Sequence, residues 1–129
     1  MNRLELAATT STPAVLADPE RGLLELRGDS YPENSFQFFS PLLDWAQTYL
    51  GDPARALRLD LHLLYLNTSS VKVMMDLFDL LEHAHQEGQT VGVVWYYAPE
   101  NGRIAELAEE FKEDCTFPFE IVTTDAPRQ

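Results

Sequence analysis

At 129 residues, with 45% hydrophobic side chains and a formal charge of −12, the chain is long enough for one domain to bury its own core. That acidity weighs against nucleic acid and anionic membrane surfaces as partners, because both reward clustered Lys and Arg. A single cysteine, Cys115, excludes an internal disulfide and fits a reducing compartment.

The opening Met1-Asn2-Arg3-Leu4-Glu5-Leu6 lacks the apolar run of a signal peptide, and no stretch of about 18 apolar residues occurs, so a cytoplasmic protein is expected. Leu4 to Ala8 reads as a short strand. Ala14 to Ala17 and Leu23 to Leu26 read as a hairpin around the turn Asp18-Pro19-Glu20-Arg21-Gly22. Gly28 to Asn34 reads as a loop, because Pro32 disfavours helix at Tyr31. Phe36, Phe38 and Phe39 follow and are expected to anchor that loop to the core, with an exposed aromatic docking patch as the alternative. Ser40-Pro41 then predicts a helix start, with Ser as N-cap and Pro at the first helical position. Leu42, Trp45, Ala46 and Tyr49 fall on one apolar face, and Gly51-Asp52-Pro53 ends the helix.

Leu57, Leu59, Leu61 and Leu63 alternate with Arg58, Asp60 and His62 before the segment turns wholly apolar toward Leu66. This pattern predicts a strand central in its sheet. Asn67-Thr68-Ser69-Ser70 interrupts it, and a helix is predicted from Val71 to about Gln86. Its stripe holds Val71, Met74, Met75, Phe78 and Leu81, widened by Leu77 and Ala84; Lys72, Asp76, Asp79, Glu82 and His83 form its wet face. Gly88 ends it. Thr90 to Tyr97 is the strongest strand signal. Ile104, Leu107, Ala108, Phe111 and Cys115 share the face of a third helix over 103–115. Phe119 to Thr123 closes the fold, and Asp125 to Gln129 reads as a frayed tail.

From residue 57 onward the order strand, helix, strand, helix, strand implies parallel strands joined by right-handed crossovers. The expected architecture is a single α/β domain over residues 1–129. Its mixed sheet has a parallel β-α-β-α-β C-terminal portion, antiparallel strands at one edge, and helices packed against it. Functional loops in such sheets gather at the C-terminal ends of the parallel strands, where Asn67 to Ser70 lies.

Little catalytic chemistry is visible. The chain has no phosphate-binding glycine loop and no zinc-protease or paired-cysteine pattern. His83 and His85 stand two apart on a helix and project in different directions, a poor metal pair. His62 alternates with leucines as a strand-face residue, Cys115 sits on an apolar stripe as a structural thiol, and the run Glu106, Glu109, Glu110, Glu113, Asp114 is a solvated helix face. Nothing assembles a nucleophile, a base and an oxyanion hole, so no enzymatic activity, cofactor or metal is expected. The hydroxyl run has two readings. It caps the helix, as Asn, Ser and Thr do. It also sits where a helix end carries about half a positive charge and favours anions, including phosphate esters. A regulatory hydroxyl needs only exposure and such an end.

The junction Asn67-Thr68-Ser69-Ser70 within this strand order resembles the STAS fold of anti-sigma-factor antagonists, where an Asp-Ser-Ser-Gly motif carries the phosphorylated hydroxyl. Asn67 replaces its Asp and Ser70 its Gly. Gly28-Asp29-Ser30-Tyr31-Pro32-Glu33-Asn34, Phe39-Ser40-Pro41-Leu42-Leu43-Asp44-Trp45, Leu66-Asn67-Thr68-Ser69-Ser70 and Val93-Val94-Trp95-Tyr96-Tyr97 resemble the SiaC family of bacterial regulatory phosphoproteins. The resemblance covers nearly the whole chain and implies a phosphorylation-switched adaptor. A Ser/Thr protein kinase modifies the family's threonine, which falls on Thr68, and a metal-dependent phosphatase removes the phosphate. The unmodified form binds and activates a diguanylate cyclase, raising cyclic di-GMP and promoting aggregation and biofilm formation. The partner surface is expected at Asn67, Thr68, Ser69, Ser70 and Lys72. The alternatives are a partner switch of the anti-sigma-factor-antagonist type and a small-ligand-binding or enzymatic α/β domain using the same loop.

Overall fold

Alternation of buried and exposed residues organises the molecule. A computed structural model describes residues 1–124, so the tail expected from Asp125 to Gln129 lies outside the described residues. Six strands form one sheet in chain order: β1 (Leu4–Leu6), β2 (Ala14–Asp18), β3 (Leu23–Ser30), β4 (Leu57–Leu66), β5 (Val91–Tyr97) and β6 (Phe119–Thr123). β1, β2 and β3 pair antiparallel, and β3 to β6 pair parallel. The helices α1 (Ser35–Leu50), α2 (Thr68–Gln86) and α3 (Gly102–Glu113) are the crossovers between the parallel strands.

Register shows why the helices share one face. Ala17 pairs with Leu24, Leu24 with Leu59, Leu59 with Val93, and Val93 with Phe119, and all five are buried. Successive strand residues point to opposite faces, so Glu25, Arg27, Arg58, Asp60, His62 and Tyr96 occupy the uncovered face. There Arg27 pairs with Glu25 at 3.0 Å, Arg58 with Asp60 at 2.6 Å, and His62 stacks on Tyr96 at 4.4 Å. The alternating polar residues of β4 thus mark a wet sheet face.

Several expectations need correction. The first helix begins at Ser35, not at Ser40-Pro41, and Asn34 caps it by accepting the Gln37 N–H at 2.9 Å. Pro41 lies inside the helix with its ring exposed. It forfeits one backbone hydrogen bond, but the burial of Ser35 and Phe39 at 1% exposure each carries the helix through it. The three phenylalanines are therefore helical. Phe39 is core and Phe38 half-buried, while Phe36 is 66% exposed and anchors nothing. β3 runs on to Ser30 through a break in register between Gly28 and Asp29, where Gly28 adopts φ +114°. That conformation suits glycine, and the loop expected from Gly28 begins only after Ser30.

On α2 the buried set is Ser70, Val73, Met74, Leu77, Phe78, Leu81 and Ala84, while Met75 is 49% exposed. The buried stripe is centred on Met74, Leu77 and Leu81 and takes in Ser70 and Val73 on one flank, so Met75, on the other flank, turns outward. Glu82 stays on the wet face, as expected, and clamps the segment after α3 from there. Its carboxylate accepts the Thr116 N–H at 2.8 Å, the Thr116 hydroxyl at 2.6 Å and the Gln86 amide at 2.7 Å. α3 ends at Glu113, so Cys115 lies just beyond it and donates its thiol to the Phe111 carbonyl at 3.3 Å.

Candidate functional site

All three helices begin at the C-terminal edge of the parallel strands, each behind an asparagine. The side chains of Asn34, Asn67 and Asn101 accept backbone N–H bonds from Gln37, Ser70 and Ile104 respectively. The Asn101 amide also donates to the Leu64 carbonyl at 3.1 Å, tying the start of α3 to the end of β4. Three positive helix ends therefore face one edge of an acidic protein.

At the centre of that edge β4 passes into α2 through Asn67, whose backbone is extended at φ −75° and ψ 171°. Its N–H donates to the Ser30 carbonyl at 2.9 Å, and its side-chain amide reaches the Pro32 carbonyl at 3.4 Å. The hydroxyl run then divides. Thr68, the first helical residue, is exposed, and among the described residues its hydroxyl has no hydrogen-bond partner. Ser69 is exposed as a residue, but its hydroxyl meets Ser35 Oγ at 2.7 Å and donates to Asn67 Oδ1 at 3.3 Å. Ser70 is fully buried, with its hydroxyl 2.8 Å from Ser30 Oγ and 3.1 Å from Ser35 Oγ. Ser30 and Ser35 are themselves 0% and 1% exposed.

Lys72 is exposed one turn beyond Thr68, on the same side of α2 by the i, i+4 spacing, and Met75 continues that side. Tyr31 and Tyr65 flank the junction in edge-to-face contact, ring centroids 6.1 Å apart. Phe36, in the first turn of α1, and Leu64, near the end of β4, are also exposed at this edge; the other large, apolar and comparably exposed side chains among the described residues are Met75, farther along α2 in a cleft with Phe111 and Cys115, and Met1 and Val122. Such a cluster, rimmed by polar groups, is the mark of an interaction surface.

The structure brings Asn67, Thr68 and Lys72 together at the surface and withdraws Ser70 from it. Sequence reasoning missed Ser30 and Ser35, which lie 40 and 35 residues from Ser70 in the chain. It also missed Asn34 and Asn101, although an asparagine immediately before a helical pattern is itself the signal of a cap.

Groups away from this edge are quiet. Burial, then the nearby Arg27 charge, pushes the His62 imidazole below its ordinary value. Burial chiefly, with help from the Glu82 charge, pushes the Cys115 thiol up to about 11, so it stays protonated near neutrality.

Known proteins with this architecture converge on one group. An uncharacterized protein of Pseudomonas aeruginosa (strain UCBPP-PA14) is 54% identical over 125 residues, covering 97% of this chain and 99% of its own. The crystal structure of apo-SiaC from Pseudomonas aeruginosa superposes with a TM-score of 0.91 at 54% identity, over 95% of this chain and 99% of that one. SiaC in complex with the diguanylate cyclase SiaD, which it activates, superposes equally well, with a TM-score of 0.91 at 55% identity over 94% of this chain and 99% of that one. The model of the SiaC family of regulatory phosphoproteins matches residues 6–124, from the end of β1 through β6, and the chain belongs to that family.

Proposed function

We propose that this chain is a non-catalytic, phosphorylation-switched adaptor whose unmodified form binds and activates a diguanylate cyclase, with Thr68 as the switch. The observation that carries the reading is the exposed hydroxyl of Thr68 at the start of α2, without a hydrogen-bond partner among the described residues, at the edge where Tyr31, Phe36, Leu64 and Tyr65 are also exposed. The cyclase complex of the 55%-identical Pseudomonas aeruginosa SiaC supports the choice of partner. A Ser/Thr protein kinase adds the phosphate and a metal-dependent phosphatase removes it. The partner surface comprises Asn67, Thr68, Ser69 and Lys72 with the exposed apolar side chains of this edge, and Ser70 supports it from beneath. The output is cyclic di-GMP and, through it, aggregation and biofilm formation. The chain works in the cytoplasm, where nucleoside triphosphates feed both kinase and cyclase.

The mechanism is electrostatic. Phosphorylation adds roughly −1.5 to −2 charges at neutral pH. The free protein tolerates them, because the N–H groups and dipole at the start of α2 favour an anion. The complex does not. Closing a partner over this edge strips water from the phosphate, and an unmatched desolvated charge costs several kcal/mol. About 1.4 kcal/mol already means tenfold in affinity.

Thr68→Ala removes the acceptor without adding charge and is expected to bind and activate the cyclase; Thr68→Asp is expected to bind at least about tenfold more weakly. Cyclase activity with each variant titrated in, alongside calorimetry, checks this. Equal activation by both variants would reduce the Thr68 hydroxyl to a helix-end group.

A further inference from the structure

Three consecutive hydroxyls stand at the start of α2, and residue exposure alone does not separate them, since Thr68 and Ser69 are both exposed. What separates them is Ser35, the first residue of α1, which reaches Ser69 at 2.7 Å and Ser70 at 3.1 Å. We propose that Ser35 is a specificity-determining residue of the switch, withholding the Ser69 and Ser70 hydroxyls so that phosphate is placed on Thr68 alone. The proposal rests on the reading of Thr68 as the modified residue.

Proton counting gives the argument its direction. Four hydroxyls, those of Ser30, Ser70, Ser35 and Ser69, are linked in a row that ends on the side-chain oxygen of Asn67. That oxygen only accepts, and it also takes the Ser70 N–H at 2.9 Å. With one proton per hydroxyl, filling all four links has a single solution. Ser30 donates to Ser70, Ser70 to Ser35, Ser35 to Ser69, and Ser69 to Asn67.

Phosphoryl transfer from a nucleoside triphosphate forms an Oγ–P bond and breaks the P–O bond to the departing nucleoside diphosphate, while the hydroxyl proton passes to a base on the kinase. The accepting oxygen must therefore present a lone pair to phosphorus and surrender its proton outward. On Ser69 a lone pair receives the Ser35 proton and its own proton is committed to Asn67. On Ser70 the hydroxyl is engaged from both sides beneath a surface that leaves it no exposure. Thr68 carries neither restraint.

Phosphopeptide mass spectrometry of the chain expressed in its native host tests the assignment, with wild type, Ser35→Ala and Ser70→Ala compared and melting curves confirming that each variant folds. Wild type is expected to carry phosphate on Thr68 only. Ser35→Ala is expected to keep it there and to add phosphate on Ser69, whose availability rises by roughly tenfold with the loss of one net hydrogen bond. Ser70→Ala breaks two links of the row but spares the Ser35–Ser69 contact, so its phosphate is expected to stay on Thr68. Phosphate confined to Thr68 in Ser35→Ala overturns the proposal and leaves the Thr68 reading standing. Ser69 modification in Ser70→Ala as well means general loosening and also overturns it. An absence of phosphate from residues 67–71 in every variant overturns both.

Discussion

Ser35 and Thr68 hold the same position in their helices, the first residue after an asparagine cap, and they meet opposite fates. Ser35 is 1% exposed and bonded to two hydroxyls of α2, whereas Thr68 is open to water. Helix-capping chemistry alone therefore does not make a switch. The start of α1 is tucked beside the start of α2, and whichever hydroxyl turns toward the contact becomes structure while the one turned away remains available to partners.

The strongest way to break the comparison is to put the same charge on both kinds of hydroxyl. Ser70→Asp buries a carboxylate at a residue with no exposure and is expected to lower stability by about 3 kcal/mol or more. Thr68→Asp, two residues earlier, is expected to change it by at most about 1 kcal/mol. Urea denaturation of the two variants measures the gap, and equal losses would place both hydroxyls in one environment.

A smaller effect separates the two caps. Asn34→Ala removes one cap bond and is expected to lower stability by about 1 kcal/mol. Asn67→Ala also unties Ser69 and Pro32 and is expected to lower it by about 2 kcal/mol. The same titrations decide the order, and a larger loss at Asn34 would reverse it.

The smallest effect contrasts the start of α2, held by neutral groups, with its far end, held by a carboxylate. Hydrogen bonds from the Thr116 backbone, then from its hydroxyl and from Gln86, lower the Glu82 carboxyl from 4.5 to about 2. A lowered folded value means the contribution is complete above about pH 4.5 and fades as pH falls toward 2. Because Glu82 is solvent-facing, screening keeps the effect modest. The melting-temperature difference between wild type and Glu82→Gln is expected to shrink over that range, while the Asn67→Ala difference stays level. A Glu82→Gln difference indifferent to pH would remove the carboxylate from the clamp.

What the chain order revealed, and what it hid, follows from the range of the forces involved. The alternation in Leu57 to Leu66, the break at Asn67 and the helical period beyond it are local, and they located the strand–helix junction and the parallel strands. Pro41 is a strong local signal that misled, because the burial of Phe39, a tertiary gain, outweighed one lost hydrogen bond. Met75 was misplaced because it is apolar and borders the stripe, and helical spacing alone does not say which flank of a wide apolar face meets the core. The Ser35 contact has no local signal, since 34 residues separate it from Ser69.

The strands of the sheet lie in the order in which they occur in the chain. Each parallel pairing closes across a single crossover, so sequence separations stay short and assembly is expected to be quick for a mixed sheet. Selectivity at the switch arrives only with that assembly, because Ser30 and Ser35 come from β3 and α1 while Ser69 and Ser70 come from α2. A nascent chain, or a peptide cut from residues 64–74, presents three equivalent hydroxyls. The finished fold leaves one of them, that of Thr68, unpaired among the described residues.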